Sequence, residues 1–200
     1  MKKISKKIQS LNVQHKKESS RYDQAKAWKD IASLTSASVA DIKWNWREKN
    51  ILDVAAGTGR VAEYFKNKSR LVIGVDISSD MLEVAQQERR LDVGVLAQAE
   101  KLPFLDSSFD LLYCRSALHY MDVPRALHEW TRVVKNGGWI IVSDVSFEDE
   151  PTNRWYARML KVMLREMTLV PHQTIVRILK GIGQDRCDHT IHMVRGSLND

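Results

Sequence analysis

From residue 50 onward the chain alternates short apolar runs with longer stretches of helical period, and this limits its fold more than any other feature. ILDVA (51–55), RLVIGVD (70–76), DVGVLAQ (92–98), FDLLYCR (109–115) and GWIIVSDV (138–145) read as strands. Most are apolar on both faces, as strands of a buried parallel sheet are. Residues 60–66, 79–89 and 124–134 read as helices between them, the last with Ala126, Leu127, Trp130, Val133 and Val134 on one face. Gly137 and Gly138 are expected to stop that helix. Such a succession predicts an α/β fold, a mostly parallel sheet with helices on both faces. HTIHMV (189–194) is a candidate sixth strand near the sheet edge.

A chain of 200 residues suits a single domain. The expected division is an N-terminal segment over 1–49 and a main domain over 50–200, with helical stretches at about 151–181. Only Cys114 and Cys187 are present and no apolar run is long enough to span a bilayer, so a reducing, cytoplasmic setting is expected.

The formal charge of +6 would suit a nucleic-acid partner if it were spread over a surface. It is not. Lys2, Lys3, Lys6, Lys7, Lys16 and Lys17 face only Glu18 within the first twenty residues, which leaves the remainder close to neutral. Ile4, Ile8 and Leu11 stand at helical spacing among these lysines. The segment reads as a solvated arm, with peripheral membrane contact as the alternative.

Within ILDVAAGTGR a strand runs into Gly57 and Gly59 just before a helix. Glycine there permits positive φ and lets a ligand approach the backbone, while the helix start favours a negative group. Asp76 follows Gly57 by nineteen residues and ends the next strand. A carboxylate in that place can accept hydrogen bonds from both hydroxyls of a ribose. Gly57, Gly59 and Ala62 also satisfy the G-x-G-x-x-G/A pattern, so the turn alone equally fits a nicotinamide dinucleotide and an oxidoreductase.

Four motifs in fixed order narrow this choice: DVAAGTG (53–59), VIGVDIS with Met81 (72–81), AEKLPFLDSSFDLLYC (99–114) and ALHEWTRVVKNGGWIIVSD (126–144). Together they make the chain resemble the class I S-adenosylmethionine-dependent methyltransferases, in the branch similar to the ubiquinone/menaquinone C-methyltransferases. The resemblance implies a Rossmann-like fold with S-adenosyl-L-methionine as cofactor. By its implication Asp53, Ala55, Gly57 and Gly59 hold the methionine end and Asp76 the ribose. Ile77, Met81, Gln98, Ala99 and Glu100 complete the cofactor set on the adenine side, with Leu102 a second apolar flank. Gln98 stands where the family commonly has aspartate, and its amide oxygen can still accept from the adenine amino group. Asn136 replaces a usual proline, and Glu129 with Arg132 is expected to form a structural ion pair. The family sheet ordinarily ends with an antiparallel strand, for which no sequence remains before Asp200, so a shortened form or a partner covering that edge is expected. A non-catalytic binding protein on the same fold is the remaining alternative.

Methyl transfer is an in-line displacement in which alignment supplies most of the rate, so no catalytic side chain is obligatory. Where the acceptor must lose a proton, His119 in YCRSALHY is the best-placed base, because ligands of open α/β sheets lie at strand carboxyl ends. Tyr22, Tyr120, Trp155 and Met159 are the candidate acceptor contacts. They share their segments with Trp28, Trp44, Trp46, Tyr156 and Met163, a composition suited to a small apolar or aromatic acceptor. No Asn-Pro-Pro-Tyr type sequence stands where the fourth strand ends, so a nucleic-acid base is not expected as acceptor. No metal is expected either, since Cys187, His189 and His192 lack further clustered ligands.

Overall fold

The computed structural model describes residues 31–40, 42–144 and 190–195. Among them, four helices surround a six-stranded sheet. Helix α1 is Ile31–Ser38, α2 Arg60–Lys66, α3 Ser79–Gln87 and α4 Val123–Val133. The strands are β1 Asn50–Val54, β2 Leu71–Asp76, β3 Val93–Leu96, β4 Phe109–Arg115, β5 Val134–Asp144 and β6 Thr190–Arg195. Their order is β3-β2-β1-β4-β5-β6, and every neighbouring pair is parallel. The winding reverses between β1 and β4, which opens a crevice at the carboxyl ends of these strands.

Alternation along the strands divides the core in two. Ile51, Val72, Leu111, Tyr113 and Ile141 pack beneath α1, α2 and α3, with Val61, Ala62, Phe65 and Ala85. Leu52, Val54, Val75, Leu112, Cys114, Ile140 and Val142 pack on the other face under α4, which contributes Ala126, Leu127, Trp130 and Val133. Side chains two apart on a strand share a face, so continuous apolar runs supply both layers. Asp122 caps α4 by accepting from the Arg125 amide at 3.3 Å, and Ser78 caps α3 by accepting from the Met81 amide at 3.4 Å.

Helix α1 is bound into this core. Ile31, Val39 and Ile42 are buried in the first layer, and Ser38 Oγ lies 2.9 Å from the Tyr113 hydroxyl. Trp44 and Trp46 follow at the amino end of the sheet. Lys49, just before β1, stands 4.9 Å from the Trp44 ring, and Trp46 packs on Phe65 at 5.6 Å between centroids. Helix α2 has by then returned to the sheet's amino side, so both tryptophans are packing residues on the rim opposite the crevice.

Two expectations are corrected. The glycine pair does not stop α4, which ends at Val133 and passes directly into β5. Gly137 (φ 74) and Gly138 instead accommodate an irregularity in β5, where the register jumps from Phe109↔Val134 to Leu111↔Trp139. A Cβ on Gly138 would lie 2.8 Å from the carbonyl oxygens of Asp110 and Lys135, so the crowded backbone demands glycine. The second correction concerns β3, which is an edge strand with Val93 and Leu96 exposed, not a strand buried on both faces. No helix among the described residues is long and apolar enough to cross a membrane.

Candidate functional site

The crevice is built around the turn that leaves β1. Ala55 (φ 57), Gly57 (φ 53) and Gly59 (φ 78) all lie in the left-handed region, which folds the chain sharply into α2. For Ala55 that conformation carries strain of about 1–2 kcal/mol, of the kind concentrated at binding sites. The glycines serve different ends. A Cβ on Gly57 would meet nothing within 4 Å, so the backbone there faces open space. A Cβ on Gly59 would lie 3.0 Å from that of Ala85 and 3.1 Å from that of Arg90, so Gly59 lets α2 pack on α3. Arg90 secures the turn from behind, its Nη1 donating to the Thr58 carbonyl at 2.9 Å.

Two carboxylates stand against this turn. Asp76, at the tip of β2, accepts from the Gly57 amide at 2.8 Å and from the Ser78 amide at 2.9 Å, one on each oxygen. A carboxylate oxygen can accept more than one hydrogen bond, so these two amides do not by themselves exhaust the group. Asp53 is buried beneath the turn and accepts from the Ala62 amide at 3.0 Å. Burial pushes its carboxyl up to about 8, the Ala62 bond opposes this, and the nearby charge of Asp76 adds to it. Asp53 therefore holds its proton at neutral pH, as a carboxyl in a dry site does.

Beyond β3 the loop runs along the same rim. The Ala97 amide donates to the Asp76 carbonyl at 3.0 Å, joining the loop to the β2 tip. Gln98 is exposed and bridges to Lys101. The carbonyl of buried Ala99 accepts from Trp130 Nε1 at 3.1 Å. Glu100 accepts from the Asp122 amide at 2.8 Å, which ties the loop to the start of α4. Leu102 is clamped at both backbone groups: its amide donates to Glu129 at 2.8 Å and its carbonyl accepts from Arg132 at 3.1 Å. Glu129 and Arg132 form the expected ion pair at 2.6 Å, which holds the Glu129 carboxyl below its ordinary value and raises the guanidinium.

At the tip of β4, Arg115 Nη1 donates to Ser143 Oγ at 3.2 Å, and the Ser116 amide donates to the Ser143 carbonyl at 2.7 Å. Ser116 is left-handed (φ 50), which turns the chain into the 3-10 segment Leu118–Tyr120. His119 belongs to that segment, and Tyr120 is half-buried against the α4 core.

A family model described as "Methyltransferase domain" matches residues 52–142, the span containing this turn, both carboxylates and the clamped loop. A malonyl-[acyl-carrier protein] O-methyltransferase of Hamiltonella defensa is 26% identical over 81% of this chain and 72% of its own. A demethylmenaquinone methyltransferase of Renibacterium salmoninarum is 39% identical over 49% of this chain and 42% of its own. In structure, an S-adenosylmethionine-dependent methyltransferase of Thermotoga maritima superimposes with a TM-score of 0.63 at 25% identity, covering 83% of this chain and 79% of that one. Residues 52–142 thus match a methyltransferase domain, and the fold around them is the Rossmann-like one of S-adenosylmethionine-dependent methyltransferases of known structure.

The cofactor of this methyltransferase family is S-adenosylmethionine, and the crevice suits it. Gly57 leaves open space where a ligand must approach the backbone, and the Asp76 carboxylate stands directly against that turn at the tip of β2. The fold brings Asp53, Ala55, Gly57, Gly59 and Asp76 together, with half-buried Ile77 beside them and Gln98, Ala99 and Glu100 in the adjoining loop. Met81 is 2% exposed, under the first turn of α3. Tyr22, Trp28, Trp155, Tyr156, Met159 and Met163, and the segments expected over 1–30 and 151–181, lie outside the described residues. Sequence reasoning missed the direct bond from the Gly57 amide to Asp76, which uses a donor expected to be free for the ligand. It also missed Arg115, although a cation closing the apolar run FDLLYC was a visible signal.

Proposed function

We propose that this protein methylates a small apolar or aromatic acceptor, at oxygen or carbon, from S-adenosylmethionine bound at the β1 and β2 tips. The observation that carries the reading is the joint between Gly57 and Asp76, which sets a two-oxygen acceptor beside open backbone at the switch point of the sheet. When bound, S-adenosylmethionine supplies an electrophilic methyl group on a positively charged sulfur. The chain's part is to orient and to exclude water. Asp76 receives the ribose hydroxyls. Asp53, neutral and buried, keeps the turn in shape without placing a second full charge beside Asp76. Gln98, Ala99 and Glu100 flank the adenine on a loop held by Trp130, Glu129 and Arg132.

The acceptor lies beyond the β4 tip, near Tyr120, with Tyr22, Trp155 and Met159 as further contacts. His119 takes the acceptor's proton where there is one to lose. The names of relatives differ over the acceptor, one being demethylmenaquinone and another malonyl-[acyl-carrier protein]. A thermal-shift comparison tests the cofactor reading. S-adenosylhomocysteine at about 100 times its Kd stabilises by about 2.7 kcal/mol and raises Tm by several degrees, whereas NAD leaves it unchanged. Stabilisation by NAD alone would overturn the reading, and labelled methyl transfer into candidate quinones and phenols then tests the acceptor class.

A further inference from the structure

Among the described side chains, four arginines are at least partly buried: Arg60, Arg90, Arg115 and Arg132. Three of them pair with a carboxylate, Arg60 with Glu63 at 3.1 Å, Arg90 with Glu63 at 3.6 Å and Arg132 with Glu129 at 2.6 Å. Arg115 has none among the described side chains. Its Nη1 reaches only the neutral hydroxyl of Ser143, and its Nε is buried without an acceptor. Among the described side chains, then, this partly buried guanidinium meets no carboxylate, and a buried donor without an acceptor is costly.

Its place says what would compensate it. The register pairs Val54 with Cys114, which brings Arg115 abreast of Ala55, the first left-handed residue of the glycine turn. Strand alternation puts Arg115 on the same sheet face as Tyr113, the face that α2 covers and on which Asp53 meets the Ala62 amide. The turn's own anion-binding capacity is reduced, because the Gly57 amide is already given to Asp76. Arg115, abreast of the turn, brings a cationic donor that can add to it for a negative ligand group.

We propose that Arg115 binds the α-carboxylate of the cofactor's methionine end, with Ser143 fixing the guanidinium. The proposal rests on the reading that S-adenosylmethionine occupies this crevice. The test is calorimetric titration of the full chain with S-adenosylhomocysteine and with its decarboxylated form, which lacks only that carboxylate. Wild type is expected to prefer the carboxylate-bearing compound by roughly tenfold to a hundredfold, the scale of a charge-assisted hydrogen bond. Arg115→Met should lose that preference while binding the decarboxylated compound as wild type does. Equal binding of both compounds by wild type, or an undiminished preference in Arg115→Met, would overturn the assignment. If Arg115→Met does not fold, Arg115→Lys decides: a preference reduced about threefold or more supports the paired-donor geometry, and an unchanged one overturns it. Failure of wild type to bind either compound is a different result, which removes the cofactor reading itself.

Discussion

Asp53 and Asp76 are the same residue type at the ends of neighbouring strands, and their surroundings separate them. Asp76 receives an amide on each oxygen at the rim, whereas Asp53 receives one and is shut from water. Because the folded value of Asp53 is raised from 3.8 to about 8, the native state binds its proton more tightly than the unfolded chain. Its contribution to stability is therefore fully present below about pH 4 and is lost as pH rises towards 8. Asp53→Asn lacks that loss, so its stability relative to wild type should improve by a few kcal/mol between about pH 5 and pH 8, measured by urea unfolding at both. A gap independent of pH would show Asp53 ionised in the native state. That such an acid would be neutral was not legible in DVAAGTG, since nothing local in the sequence states how dry a strand end will be.

At the scale of the element, the turn between β1 and α2 separates two demands that look alike in the motif. Gly57→Ala introduces a methyl group into open space, so its stability cost is limited to left-handed strain of about 1–2 kcal/mol, while the methyl occupies the face offered to ligand. Gly59→Ala suffers the same strain and also drives its methyl into Ala85 and Arg90. The expected outcome is a larger fall in Tm for Gly59→Ala and a larger loss of S-adenosylhomocysteine affinity, relative to stability, for Gly57→Ala. Similar Tm values for the two variants would contradict the division of roles. The Gly137 and Gly138 pair carries the same lesson. Paired glycines after a helical pattern resemble a stop signal, yet the crowding that requires Gly138 comes from Asp110 on a neighbouring strand, 28 positions away in the sequence.

For the molecule as a whole, α4 is the element on which stability and site depend together. Trp130 is 0% exposed in the α4 layer and also donates to the Ala99 carbonyl on the site loop. Trp130→Ala should cost about 3–5 kcal/mol, a large share of the stability of a domain this size, and should lower Tm and weaken S-adenosylhomocysteine binding together. A normal Tm with normal binding would separate α4 from the site. The sequence by itself determined the parallel α/β fold, four of the five main strands to within a few residues, and the glycine turn with its acid, because periodicity and turn chemistry are local. Only the tertiary structure decided that β3 is an edge, that Trp44 and Trp46 belong to the rim away from the crevice, and that Asp76 takes the Gly57 amide. It alone left Arg115 without a counter-charge among the described side chains. Each of these is a relation between residues distant along the chain, set by which strand lies beside which, and no window of sequence contains both partners.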